Sequence, residues 1–322
     1  MVKIDKFDRK ILYELEKNSS ITITEIAKKI GRSKEFTLFR IERLEKRDII
    51  ENYTAIIDMQ KLGYFTFRVY FRLQNITKEQ REKIDDFLKS DDNIWSITYM
   101  HGKWDYAIFI GVKIVEEFHK VWNRVLFEYK EMISEHKVAL YTPIYNFNKI
   151  FFLDDKESVK EERTERVYGI SKRVKFDELD LKIIKNYAIN VRIPISSVAG
   201  KLGVSPDTAR ARIKRLENEK VIVGYKIDLN LQKLNMQGYR VDLSLNSIKR
   251  NKQIFEYCKQ HKNFYQINNS IGGADFELEV IVRDLNHLFE IMNDLVNKFS
   301  DVIKNYEYMG FSLFPKLAYI PD

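Results

Sequence analysis

The sequence predicts an α+β protein in which a three-helix unit ending in a β-hairpin alternates twice with a β-α-β-β-α-β unit. Three observations predict it. The chain matches itself when shifted by 172 positions, which lays Asp8 on Asp180, Ala27 on Ala199, Gly31 on Gly203 and Arg40-Ile41-Glu42-Arg43-Leu44 on Arg212-Ile213-Lys214-Arg215-Leu216. Each copy opens with apolar residues at helical spacing, and each continues with strand and helix patterns in a fixed order. A period this long means duplicated domains, because solenoid units run a few tens of residues.

The first 60 residues of each copy read as helices closed by punctuation. Ile11, Leu12 and Leu15 form the apolar stripe of a first helix, answered by Ile183, Ile184 and Tyr187. A second helix carries Ile26, Ala27 and Ile30, or Val198, Ala199 and Leu202, and stops at Gly31 or Gly203, where glycine accepts the left-handed conformation of a helix end. Pro194 suits the first turn of that helix in copy two. Ser33 and Ser205 then cap a third helix, with Pro206 at its start. Helix, short turn, helix is a helix-turn-helix. Ile49-Ile50-Glu51-Asn52-Tyr53 and Val221-Ile222-Val223-Gly224-Tyr225 put Asn or Gly between β-prone residues, which predicts a hairpin wing.

After the wing, copy one gives a strand over 65–74, a helix over 78–90, strands over 94–101 and 104–112, a helix over 115–129 and a strand over 133–146. Copy two repeats this at 238–246, 251–261, 264–271, 275–283, 286–299 and 302–314. The order is that of a ferredoxin-like plait. The domain limits follow: winged helix-turn-helix domains at 1–60 and 175–234, ferredoxin-like domains at 61–153 and 235–322, and between the copies a charged linker at 154–174.

Composition narrows the function. An apolar content of 44% over 322 residues excludes a disordered or fibrous chain. A net charge of +8 favours a polyanionic partner. Cys258, the single cysteine, excludes an intrachain disulfide and a cysteine-rich zinc site, and points to a reducing compartment. The charged N-terminal run MVKIDKFDRK lacks a signal-peptide pattern and no stretch approaches 18 uncharged apolar residues, so the expectation is a cytoplasmic protein with no membrane partner. No P-loop, H-E-x-x-H or nucleophile elbow occurs, and His101, His119, His136, His261 and His287 are scattered, so no metal, cofactor or catalytic residue is expected.

The third helix is where the sequence points for DNA recognition. Thr37, Ile41 and Leu44, or Ala209, Ile213 and Leu216, form its buried stripe, which leaves the opposite face to read double-stranded DNA. In copy one that face holds Glu35, Phe36, Leu38, Phe39, Glu42 and Arg43, flanked by Ser33, Lys34 and Arg40. In copy two it holds Asp207, Thr208, Arg210, Ala211, Lys214 and Arg215, flanked by Ser205 and Arg212. Residues 172–232 carry thirteen Lys/Arg against seven Asp/Glu, and residues 1–60 thirteen against eleven, so copy two is expected to supply most of the affinity. Phe36, Leu38 and Phe39 suit thymine methyl groups or a protein.

Together these motifs resemble the Lrp/AsnC, or feast/famine, family of transcriptional regulators, present twice in one chain. The residues that carry the resemblance are Asp8-x-x-Ile11-Leu12 and Asp180-x-x-Ile183-Ile184, Asn190-x-Arg192, the Ile-Ala-x-x-x-Gly and Val-Ala-x-x-x-Gly runs, Ser-x-x-x-x-x-x-Arg-Ile-x-Arg-Leu-Glu in both copies, and Gly102-x-x-Asp105 and Gly272-x-x-Asp275. The resemblance covers nearly the whole chain apart from the linker. It implies that the plaits, RAM-type domains, mediate dimerisation and bind an amino-acid effector near the Gly-x-x-Asp turn. The residues placed there are Tyr99, His101, Gly102 and Asp105 in copy one, and Asn269, Ser270, Gly272 and Asp275 in copy two. Because the two stretches differ, the two pockets are expected to be inequivalent.

Strand alternation adds an expectation about assembly. Phe65, Phe67, Val69, Phe71 and Leu73 face the helices, leaving Thr66, Arg68, Tyr70 and Arg72 on the open sheet face, while copy two leaves Arg240, Asp242, Ser244, Asp275, Glu277 and Glu279. One face is basic and the other acidic, which predicts an intramolecular pseudo-dimer with the two sheets face to face, and association into a homo-oligomer beyond it. Two rival readings remain open: an enzyme resembling the siroheme decarboxylases, which would use Tyr99 and His101, and a metabolite-sensing interaction module without DNA binding.

Overall fold

The computed structural model describes residues 4–153, 163–169 and 172–317. The first module is α1 (Lys6–Lys17), α2 (Ile23–Ile30), α3 (Lys34–Lys46) and the strand β1 (Ile50–Ile57). The first plait is β2 (Phe65–Leu73), α4 (Lys78–Ser90), β3 (Ile94–His101), β4 (Tyr106–Val112), α5 (Val115–Tyr129) and β5 (Ile133–Phe147). A short β6 (Glu165–Tyr168) leads to the second module, α6 (Glu178–Tyr187), α7 (Ile195–Leu202), α8 (Pro206–Asn218) and β7 (Ile222–Leu229). The second plait is β8 (Gln237–Leu245), α9 (Asn251–Gln260), β9 (Phe264–Ile271), β10 (Phe276–Val282), α10 (Leu285–Lys298) and β11 (Ile303–Leu317).

The helix ends follow the local chemistry of the sequence. Asp5 and Asp8 exchange side chain-to-backbone bonds across the first turn of α1, as Asp177 and Asp180 do for α6. Gly31 and Gly203 both sit at φ 67, and Ser33 and Ser205 cap the helices that follow. Pro194 stands one residue earlier than expected, at the N-cap of α7, and supplies no side-chain cap there.

The wing is where the expected fold was wrong. Neither hairpin forms: the chain turns at Asp48 (φ 53) and Lys220 (φ 58), and Asn52 and Gly224 lie inside single strands. β1 pairs antiparallel with β7 of the other copy, in the register Tyr53↔Ile227, Thr54↔Lys226, Ala55↔Tyr225. Thr54 and Lys226 are equivalent positions of the repeat, so an approximate twofold axis passes between them. The bonds from Asp58 N to Val221 O (2.8 Å) and from Asn230 N to Ile49 O (3.1 Å) are the same bond on either side of that axis. A lone hairpin is marginal in water. Crossed strands instead bury Ala55, Ile57 and Ile227 in one core with Ile11, Leu15, Ile41, Ile183, Ile213 and Leu216 from both modules.

The plaits have the expected strand order, β5-β2-β4-β3 and β11-β8-β10-β9, but their sheets do not end at open edges. β3 pairs with β11 and β5 with β9, so eight antiparallel strands close into a barrel, with β6 added along the end of β5. The 15-residue strands β5 and β11 make this possible: the first half of each completes its own sheet and the second half crosses to the other copy. Closure removes the unpaired edges that two stacked sheets would leave. The helices coat the outside, where Phe67, Val69, Phe71 and Leu73 meet Ile84, Phe118 and Val125, as the strand alternation predicts. Cys258 is buried in the matching outer core of the second plait.

The former open faces line the barrel. Arg68 of β2 donates to Glu277 of β10 through both terminal nitrogens, at 2.8 and 3.1 Å, with Arg68 1% and Glu277 0% exposed. Arg240 of β8 also pairs with Glu277, and with Asp242 at 2.9 Å. Burial pushes the Glu277 carboxyl up, but the charges of Arg240 and Arg68 overcome this and hold it down at about 2. Opposite charge therefore joins the copies face to face, as the strand pattern predicts. Arg72, expected beside Arg68, is exposed beyond the closed interior.

The linker is partly structural. Positions 154–162, 170 and 171 lie outside the described residues. Arg166, expected on a solvated segment, is buried: its guanidinium donates to the carbonyls of Glu16 (2.5 Å), Lys17 (2.9 Å) and Tyr225 (2.9 Å), and to Asn146 Oδ1 (3.2 Å). It fills the open carbonyls at the end of α1 and ties both modules to β5.

Candidate nucleic-acid interface

Each third helix is set by a buried carboxylate. Asp8 has no exposure, and Arg40 (3.2 Å) and Arg43 (2.6 Å) reach back to it from α3. Asp180 holds Arg212 (3.1 Å) and Arg215 of α8 in the same way, and the hydrogen bonds that Arg212 donates to Asp177 and Asp180 raise it above its ordinary pKa. A buried charge must be paired. Arg40, Arg43, Arg212 and Arg215, expected to face DNA, therefore first fix the pose of the helix they sit on. Phe36 is likewise engaged: it packs edge-on against Phe7 at 5.5 Å with Arg40 over its ring at 4.9 Å, while Arg32 covers Phe7 at 4.2 Å. Arg32 was not among the expected residues.

The buried stripes are the expected ones, Thr37, Ile41 and Leu44 in α3 and Ala209, Ile213 and Leu216 in α8. The Ser33 and Ser205 hydroxyls accept from Phe36 N (3.1 Å) and Thr208 N (3.0 Å), so their side chains serve the helix ends. What remains outward on α3 is Lys34, Glu35, Leu38, Phe39 and Glu42, with Leu38 37% and Phe39 62% exposed. On α8 it is Asp207, Thr208, Arg210, Ala211 and Lys214. Arg210 pairs with Asp207 one turn away, an exposed contact worth about 1 kcal/mol or less that a phosphate can displace.

The two helices are held as one body. Besides β1 and β7, Arg192 of the second module donates to the carbonyls of Ser19 (3.2 Å) and Ile21 (3.1 Å) of the first and lies over Tyr53 at 4.5 Å. The Asn190-x-Arg192 motif marked this residue without indicating that its partner lies in the other copy.

The Gly-x-x-Asp turns have an internal use. Asp105 accepts from Leu73 N at 2.8 Å and Asp275 from Leu245 N at 2.8 Å, so each carboxylate ties its turn to the end of the first strand of its plait. Gly102 (φ 119) and Gly272 (φ 85) take backbone conformations that favour glycine. Tyr99 donates to Asp85 of α4 (2.6 Å), His101 bonds Ser312 of β11 (2.6 Å), and Ser270 donates to Glu277 (2.9 Å). Asn269 pairs with Thr142 across the β5–β9 seam. The eight residues expected around an effector thus fall at two seams of the barrel, with their charged groups already partnered.

A family model described as winged helix-turn-helix DNA-binding matches residues 4–51, and one described as an AsnC-type helix-turn-helix domain matches 176–217. An uncharacterized HTH-type transcriptional regulator of Pyrococcus furiosus is 30% identical over 142 residues, 44% of this chain and 92% of the relative. The HTH-type transcriptional regulator LrpA of Pyrococcus horikoshii is 29% identical over 131 residues, 40% of this chain and 91% of LrpA. The chain belongs to the Lrp/AsnC family of transcriptional regulators. Such relatives are about the length of one repeat, so this Lrp/AsnC chain carries two of them in tandem. The siroheme decarboxylase NirDL has the same fold over 98% of this chain and 94% of its own, with a TM-score of 0.65 at 11% identity. Among the described residues, no helix is long and apolar enough to cross a membrane.

Proposed function

We propose that this Lrp/AsnC chain regulates transcription by binding double-stranded DNA through α3 and α8, and that it is not an enzyme. The observation that carries this is the pair of helix-turn-helix modules fused about one twofold axis, each with a third helix whose pose is fixed by a buried aspartate and whose outer face is free. The axis lets one polypeptide present two reading heads, as dimeric regulators do with two. Arg210 and Lys214 make α8 the more basic reading face, since α3 has Leu38 and Glu42 at the equivalent positions.

The NirDL likeness concerns fold, and the side chains do not favour that chemistry here: Tyr99 is turned outward to α4, and Arg68, Arg240 and Glu277 fill the barrel. An amino-acid effector at either Gly-x-x-Asp turn remains part of the reading. It would displace the internal bonds of Asp105 or Asp275, which couples ligand binding to barrel packing.

Anisotropy titration of a labelled duplex at several salt concentrations tests the proposal. Each phosphate contact adds about 0.9 to the slope of log K against log salt. Arg210→Ala with Lys214→Ala, which removes the guanine donors of α8, should weaken duplex binding much more than Lys34→Ala, which should lower that slope by about 0.9 at most. Absence of any preference for duplex over a neutral polymer would overturn the regulator reading.

A further inference from the structure

We infer that the operator is not palindromic, because α3 and α8 read unlike half-sites: a thymine-rich one for α3 and a guanine-containing one for α8. This rests on the reading that both helices enter the major groove. The argument comes from comparing equivalent positions of the repeat. Those that fix the helix are identical: Ser33 and Ser205, Arg40 and Arg212, Ile41 and Ile213, Arg43 and Arg215, Leu44 and Leu216. Asp8 and Asp180 hold the arginines with the same bonds. The two helices are therefore presented in one pose about the axis between Thr54 and Lys226.

The solvent-facing positions of the same helices have diverged in kind. Leu38 stands opposite Arg210, Phe39 opposite Ala211 and Glu42 opposite Lys214. None of these six is needed by the module's own core, because all are outward. An arginine and a lysine in the major groove donate to guanine O6 and N7. A leucine and a phenylalanine have no hydrogen bond to offer and instead meet the thymine C5 methyl, while a glutamate accepts from a cytosine amino group. The same pose with different chemistry selects different bases. A dimer of two identical chains cannot do this, since its symmetry imposes the same contacts on both half-sites. Fusion into one chain removes that constraint. The exposed Leu38–Phe39 face is assigned to DNA because the twofold axis relates it to the basic face of α8.

Selection of bound sequences from random duplexes with the full-length protein tests this. The expected consensus has two unlike halves. Replacing thymine by uracil in the thymine-rich half should weaken binding about fourfold per contacted methyl, and leave the other half insensitive. The triple variant Leu38→Arg, Phe39→Ala, Glu42→Lys, all at outward positions, should convert the consensus into an inverted repeat of the α8 half-site. A palindromic consensus for the native chain would overturn the inference and leave the regulator reading intact. A consensus with no information in one half would also overturn it, and would assign Leu38 and Phe39 to a protein partner. Failure to enrich any sequence would instead count against the regulator reading itself.

Discussion

Replacing Glu277 by Gln should destabilise the barrel by about 3–5 kcal/mol, the usual consequence of leaving a buried charge uncompensated. The size follows from who depends on Glu277. Arg240 keeps Asp242 at 2.9 Å and Glu279 at 3.5 Å, whereas Arg68 has Glu277 as its only salt-bridge partner among the described residues and otherwise donates to the Tyr141 hydroxyl at 3.2 Å. Opposite charges at about 4 Å attract by about 4 kcal/mol at an effective dielectric near 20, in line with that range. Gln retains an oxygen to accept from Ser270 and Ala274 N, so the loss reports the charge. The double variant Arg68→Met, Glu277→Gln removes both the stranded guanidinium and its missing partner and should recover most of the loss. Urea unfolding followed by far-UV circular dichroism and by fluorescence gives the four corners of the cycle, since Trp104 packs on Tyr70 inside the barrel. A coupling below about 1 kcal/mol, or a double variant less stable than Glu277→Gln alone, would refute the claim that this pair joins the copies.

Acid should weaken the protein in two stages. Burial, with Lys262, His287 and Arg163 nearby, pushes His261 down to about 4, so the fold prefers its neutral form; that stability is whole above the ordinary value near 6.5 and fades as pH falls toward 4. The lowered Glu277 carboxyl adds stability that is whole above about 4.5 and fades toward 2, and urea midpoints unchanged between pH 7 and pH 3 would contradict both. Arg166→Met should leave the carbonyls of Glu16, Lys17 and Tyr225 without their donor, costing about 3 kcal/mol or more at roughly 1–3 kcal/mol each, and hydrogen exchange should rise first in α1 and β7. Gly273→Ala should cost about 1–3 kcal/mol, because its Cβ would lie 1.9 Å from Ser270 Oγ and 2.1 Å from Glu277 Oε1; an unchanged urea midpoint would argue against that packing.

What was legible in the sequence was what depends on local pattern. The third-helix stripes came out residue for residue, as did the helices at Lys78–Ser90 and Val115–Tyr129, because a 3.6-residue apolar period and a capping residue leave little choice. The opposed charges of Arg68 and Glu277 were also readable, since a period of two fixes the face once a strand is granted. Pairing across the repeat was not. Asn52 and Gly224 are good turn residues, and nothing within a single copy says that the chain runs straight through them to meet its counterpart. The internal bonds of Arg43 and Arg215 were hidden for the same reason. A helical wheel puts Arg43 and Arg215 outward, but Asp8 and Asp180, 35 residues earlier in each copy, draw them back.

The asymmetry inside the barrel bears on why the repeats stay in one chain. By the twofold axis, Arg68 and Arg240 are equivalent, and Glu277 corresponds to Ala107, Glu279 to Phe109 and Asp242 to Tyr70. Two copies of the first plait would bring two arginines together around alanine and phenylalanine, with no carboxylate to receive them. Two copies of the second would retain both arginines but crowd six carboxylates around them. Only the mixed pair sets two arginines among three carboxylates on one side and Tyr70, Ala107, Phe109 and Phe311 on the other. Each half therefore disfavours itself as partner by several kcal/mol of unpaired buried charge. The same divergence is present on α3 and α8, and the pairing inside the barrel holds one helix of each kind in one body.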